Sequence, residues 1–300
     1  PLDNPCDDFL SSLALAEELR GCFSREVRRA VRALRDCPHS QAGLLIRGAG
    51  RDRSLPATPS DADLFVERPS HVGEWILLVL ASSLGALVSY REQRAGRLFN
   101  QIVPVKGFED EISSQGSRTA LGLHRECTFS EVGPDFLGLY CHRGGGAATS
   151  VVGATRIAPH LTDRQWRVLS EPRFVTPLPP AFRRDGGSAA GAAAHCIFSG
   201  ERDHPEIRLD TTLTRGSDGE AQTVLAELNQ ILYDGDLRER IVLEPGDVLL
   251  LDNRKCLHGR EAFDARFDGS DRWLVRLYVK SDIWSCRERL VGDHVLAAGQ

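Results

Sequence analysis

Glu244-Pro-Gly-Asp-Val-Leu-Leu-Leu-Asp-Asn-Arg-Lys-Cys-Leu-His258-Gly-Arg260 is the stretch on which the fold turns. Pro245-Gly246 supplies a tight turn, because proline presets one backbone angle and glycine accepts the left-handed conformation. The apolar run Val248–Leu251 then reads as a buried strand. His258 lies just past it. Much of the chain from about residue 95 onward has the same texture, short apolar runs with turn residues between them. Gln101-Ile-Val-Pro-Val105, Phe136-Leu-Gly-Leu-Tyr-Cys141, Ser150-Val-Val-Gly153, Ile207-Arg-Leu-Asp210 and Trp273-Leu-Val-Arg-Leu-Tyr-Val279 are examples. Such spacing predicts a β-barrel or sandwich.

Helices frame this region. Residues 6–38 carry apolar positions at helical spacing, with Val27, Val31 and Leu34 separated by arginines. Gly43–Arg47 reads as a short strand, residues 55–60 as a loop, and Glu74–Glu92 as a buried helix. One further helix is expected inside the β region. Ser217-Asp-Gly-Glu220 has capping-box spacing, Val224, Leu225, Leu228, Ile231 and Leu232 form one stripe, and Gly235 is the expected stop. The Pro/Gly/Ala/Ser-rich residues 176–195 read as a lid loop. No linker divides the chain. The expectation is one domain over 1–300, with 1–94 as helical support and 95–285 as the β core.

Composition narrows the class. The chain has 300 residues, 41% hydrophobic and 26% charged, with a net charge of −5. This suits a globular protein and argues against a nucleic-acid partner, which needs clustered basic excess. The longest apolar run, Trp75–Tyr90, is interrupted by serines and a glycine and falls short of a membrane span. The eight cysteines include no C-x-x-C pair and read as reduced thiols. With an acidic start that lacks a leader pattern, the expected location is the cytoplasm.

Three local patterns carry chemistry. In Leu123-His124-Arg-Glu126 the histidine and the carboxylate are two apart, so on a strand they share a face and can give two ligands to one ion. His258 would complete two histidines and one carboxylate, a facial triad that leaves positions open on non-heme Fe(II). In Asp271-Arg272-Trp-Leu-Val-Arg276 the two arginines also share a strand face. If they point inward they need anions, and Arg grips carboxylates with a bidentate fork. If outward, they are solvated. His142, His160, His195, His204 and His294 read as surface or satisfied core residues.

Taken together these patterns resemble the Fe(II)/2-oxoglutarate-dependent oxygenases of the clavaminate synthase-like group, which includes arginine and asparagine β-hydroxylases. The resemblance runs from about Leu55 to Lys280 through Leu55-Pro-Ala-Thr-Pro, Gln101-Ile-Val-Pro-Val, His124-Arg-Glu126, Glu171-Pro-Arg-Phe, Glu244-Pro-Gly-Asp, Asp252-Asn-Arg and His258-Gly-Arg. It implies a mainly β fold with flanking helices, a double-stranded β-helix (jelly-roll) core with N-terminal helices and one inserted helix. It implies Fe(II) on His124, Glu126 and His258, with 2-oxoglutarate as cosubstrate and O2 as oxidant. Arg272, fourteen residues after His258, stands where the family's 2-oxoglutarate arginine stands. Ser150 aligns best with the family's hydroxyl partner, and Thr149 is beside it. Arg276, Gln93 and Glu126 match residues that hold the head of an amino-acid substrate. Asp210 matches the first of two aspartates that grip guanidinium in arginine hydroxylases, and Thr212 replaces the second. The implied activity is hydroxylation of a free L-amino acid or a derivative, at C3, in specialised (antibiotic-type) metabolism. Desaturation or cyclisation with the same cofactors, and a non-catalytic ligand-binding jelly roll, are the alternatives.

Overall fold

The computed structural model describes residues 3–64, 66, 68–179, 182, 193–234 and 236–298. In chain order the elements begin with α1 (Phe9–Leu19), α2 (Arg25–Asp36), β1 (Gly43–Ile46), α3 (Val72–Ser82), β2 (Ala86–Tyr90), β3 (Asn100–Ile102), β4 (Leu121–His124), β5 (Phe136–Arg143) and β6 (Thr149–Gly153). Next come α4 (Ala154–Ile157), α5 (Asp163–Leu169), β7 (Phe174–Val175), β8 (Phe198–Ser199), β9 (Glu206–Ile207), β10 (Arg215–Gly216) and α6 (Gly219–Asp234). The chain closes with β11 (Glu239–Ile241), β12 (Val248–Asp252), β13 (Cys256–Arg260), β14 (Trp273–Lys280) and β15 (Val295–Leu296).

Two sheets face each other. The larger runs β1-β12-β5-β14-β2-β15, with β3 also paired to β14. The smaller runs β11-β6-β13-β4. The period-2 alternation of strands sorts their side chains between two cores. On β12, Leu249 and Leu251 point between the sheets with Leu137, Leu139 and Leu274. Val248 and Leu250 point outward, beneath α3, with Phe136, Tyr140, Val275 and Leu277. Helices α4–α6 cover the outer face of the smaller sheet through Val224, Leu225, Leu228, Val152 and Leu257. Each fully buried leucine contributes about 1.5–3 kcal/mol. This is the two-sheet jelly roll that the family resemblance implied, within the barrel-or-sandwich class that the strand pattern predicted.

Two glycines are required where they stand. Gly246 has φ +94° in the turn before β12 and donates its N–H to Cys141 O at 2.8 Å. Gly73 lets α3 sit on β5, since a Cβ there would lie 2.3 Å from Tyr140 Cε1.

Several boundaries differ from the sequence expectation. The buried helix ends at Ser82, and residues 86–90 form β2, paired with β14. Gly85 has φ +159°, and a Cβ there would meet Lys280 O at 2.3 Å, so the chain turns into the sheet instead of continuing the helix. The first 94 residues therefore supply β1 and β2 to the large sheet as well as three helices. Among the described residues three α-helices, not one, interrupt the β region. Thr162 opens α5 with a complete capping box to Gln165, a T-x-x-Q signature on a helix of only 7 residues, too short to show an apolar period. Asp218, not Ser217, caps α6, accepting the Ala221 N–H at 3.0 Å. The expected stop at Gly235 and most of the 176–195 loop lie outside the described residues. No helix among the described residues is long and apolar enough to cross a membrane.

Candidate active site

His124 ends β4 and lies directly opposite His258 of β13. Directly opposed residues point to the same face, and the two ring centroids are 4.4 Å apart. Glu126 reaches them differently from the expected strand alternation. The strand stops at His124, and Glu126 lies in the following turn, next to Cys127 at φ +53°. Its Oε2 is 3.7 Å from His258 Nε2. The ligand atoms of His124, Glu126 and His258 all lie within 4.8 Å of one another, the one such cluster of His, Cys, Asp or Glu among the described residues.

The protonation states suit a metal. His124 Nδ1 donates to Gly122 O at 2.9 Å, which leaves Nε2 with its lone pair free. Burial, reinforced by the neighbouring His124, pushes His258 down to about 4, so its imidazole is neutral at pH 7. Burial opposes ionisation of Glu126. The Arg276 guanidinium and the contact with His258 outweigh it and hold the carboxyl well below the usual range. Arg276 Nη1 donates to Glu126 Oε2 at 2.9 Å. Two imidazoles and one carboxylate on one face are a chemically fitting donor set for a divalent first-row metal.

Arg276 of β14 and Arg272, the residue just before that strand, are both buried and line the same cavity. Val275 and Leu277 take the outer face. Among the described residues Arg272 has no carboxylate partner. Its Nη2 donates to Thr149 Oγ1 at 3.5 Å. Burial, then the charge of Arg260, pushes Arg272 down to about 10, so it remains an unpaired cation at neutral pH. A buried cation without a counter-ion is costly unless an anion arrives. His124, His258, Thr149, Arg260, Arg272 and Arg276 line one cavity.

Of the two hydroxyl candidates, Thr149 is the one that lines this cavity with Arg272. Ser150 has the opposite orientation on β6, the face of Val152, which packs under the helices. Alignment alone could not detect this one-residue offset, although it exchanges faces. Asp210 bridges directly to His124 across a short antiparallel contact. Its Oδ1 accepts the N–H groups of Thr212 at 2.8 Å and Leu213 at 2.9 Å, which shapes the turn. Thr212 Oγ1 lies beside Gly122. Gln93 follows β2, and its Oε1 is buried without a partner, but it is not among the residues that line the cavity.

Two contributors escaped the motif reading. Arg260 is buried and donates to Gly116 O and Thr119 O, both at 2.7 Å. Its place two residues after His258 on one strand was the available clue. Asn253, which stands in the Asp252-Asn-Arg motif, makes contacts 119 and 127 residues away that the motif does not reveal.

Known proteins fit this geometry. The family profile described as "Taurine catabolism dioxygenase TauD, TfdA family" matches residues 23–278. An L-asparagine oxygenase of Streptomyces coelicolor is 33% identical over 91% of this chain and 81% of its own length. An L-lysine 3-hydroxylase of Catenulispora acidiphila is 34% identical over 81% of this chain and 68% of its own. The crystal structure of an asparagine oxygenase with Fe(II), 2S,3S-3-hydroxyasparagine and succinate superposes with a TM-score of 0.86, at 31% identity, over 96% of this chain and 89% of that one.

Proposed function

The chain belongs to the TauD/TfdA family of dioxygenases, and from that premise we propose that it hydroxylates C3 of a free L-amino acid or an amino-acid derivative, with Fe(II), 2-oxoglutarate and O2, in specialised metabolism in the cytoplasm. The observation that carries this is the His124, Glu126, His258 trio beside a buried, unpaired Arg272. One half of that arrangement asks for a cation and the other for an anion. Relatives that hydroxylate lysine at C3 or carry 3-hydroxyasparagine support the choice of carbon.

His124, Glu126 and His258 would hold the iron, which when bound supplies the redox chemistry that couples O2 to conversion of 2-oxoglutarate into succinate and CO2. The remaining steps belong to the protein. Arg272, with Thr149, receives the distal carboxylate of 2-oxoglutarate and gains the counter-ion it lacks. Arg276 faces Glu126 with a buried Nε–H still unpaired, which suits the α-carboxylate of a substrate. In this reading Glu126 would meet the substrate's α-amino group and Gln93 its amino-acid head. Asp210 Oδ2 remains for a polar side chain. With Thr212 in place of a second aspartate, that side chain is not gripped as a guanidinium would be between two carboxylates. Fixing both ends of the substrate decides which C–H bond is presented.

An anaerobic titration of apo-protein with Fe(II) and 2-oxoglutarate tests the cofactors through the visible iron-to-2-oxoglutarate charge-transfer band. L-Amino acids are then added singly, and the one that perturbs the band is turned over in air and its product mapped by NMR. Absence of the band in folded protein refutes the oxygenase reading. Oxidation at a carbon other than C3 refutes the regiochemistry alone.

A further inference from the structure

Asn253 sits in the turn between β12 and β13 and has no exposed surface. Its Oδ1 accepts the Glu126 N–H at 2.8 Å. Its Nδ2 donates to Glu126 O at 3.2 Å and to Pro134 O at 2.7 Å. One N–H and two carbonyls as partners leave a single orientation of the amide. The main chain adds a further bond, from Asn253 N–H to Asp135 O at 2.9 Å. The turn is thus tied to both ends of the segment 126–135.

A buried asparagine can simply satisfy core carbonyls. Here its side chain grips both main-chain polar groups of one residue, and that residue is Glu126. The next residue, Cys127, holds a left-handed conformation that non-glycine residues avoid, so the backbone at this point would relax if released. Five residues beyond Asn253, β13 presents His258. The separation between the carboxylate and the second imidazole therefore passes through one amide side chain.

We propose that Asn253 is a positioning residue that holds Glu126 within reach of the metal carried by His124 and His258. The proposal rests on the metal-site reading above. Outer groups that orient metal ligands typically change affinity by about 10- to 100-fold when removed.

Mn(II), which binds such sites without turning over, is the probe, and its dissociation constant is read by EPR on the full chain without 2-oxoglutarate. Asn253→Ala removes all three side-chain bonds. Asn253→Asp keeps the size and an acceptor for the Glu126 N–H but sets an oxygen against the two carbonyls. Leu225→Ala, in the helix layer far from the site, lowers stability without touching the site. The expected result is a Kd for Mn(II) raised about tenfold or more in both Asn253 variants, well below their unfolding temperatures, with an unchanged Kd in Leu225→Ala. If Asn253→Ala does not fold, Asn253→Asp carries the measurement. Folded Asn253 variants that bind Mn(II) as the parent does would overturn the positioning role. Mn(II) binding by the parent that ignores His258→Ala would overturn the metal site itself, and the proposal with it.

Discussion

Replacing His195 with glutamine should remove about 2 kcal/mol of acid sensitivity from the apo-protein between pH ~7 and pH ~5. His195 is 6% exposed. Its Nδ1 donates to Cys196 O at 2.9 Å, so Nε2 is left to accept from the Thr176 hydroxyl at 2.9 Å. Thr176 continues to Thr214 at 2.8 Å, and Thr214 accepts the Asp210 N–H at 3.0 Å. Burial lowers the imidazole from 6.5 to about 4; the nearby charges of Arg208 and Arg125 act the same way, and the Cys196 carbonyl acts against them. Because the folded value is the lower one, the unfolded chain takes up the proton first on acidification. Stability therefore falls with pH through the window from 6.5 to about 4. The full loss is about 3 kcal/mol, and about 2 kcal/mol of it lies between pH ~7 and pH ~5. Urea unfolding of the metal-free parent and His195→Gln at the two pH values measures the difference. His258, which is also lowered to about 4, titrates in both proteins and cancels. Equal acid losses in the two proteins would refute the reasoning.

Arg272→Met should abolish 2-oxoglutarate binding yet leave the apo-protein as stable or more stable by about 1–3 kcal/mol, because it removes a buried cation that has no partner. Urea denaturation checks this, and a loss of about 3 kcal/mol, the size expected for breaking a buried pair, would show that Arg272 is paired after all. Thr149→Val should weaken 2-oxoglutarate binding in calorimetry with Mn(II) present, while Ser150→Ala leaves it unchanged; the reverse pattern would mean the register places the wrong hydroxyl in the cavity. Gly73→Ala should cost about 1–3 kcal/mol through overpacking against Tyr140, and an unchanged melting temperature would show that α3 can move away from β5.

The residue types and their local periods determined much of this protein. Strand alternation on β14 separates Arg276 from Val275 and Leu277 in any fold that buries one face of the strand, and the turn at Pro245-Gly246 is a property of those two residues. His124, Glu126 and His258 are recognisable as a donor set because few chemistries use two imidazoles and a carboxylate together. Tertiary structure decided the rest, for reasons of register and distance. Thr149 and Ser150 differ by one position, and only the pairing of β6 with β13 says which of them faces Arg272. The end of α3 depends on Lys280, whose carbonyl blocks a side chain at Gly85 from across the sheet. Asp210 is brought opposite His124, and Asn253 to Glu126, by contacts that no local pattern encodes. A sequence carries the identity of the donor groups, but the angle and distance at which they meet are properties of strands paired far apart along the chain.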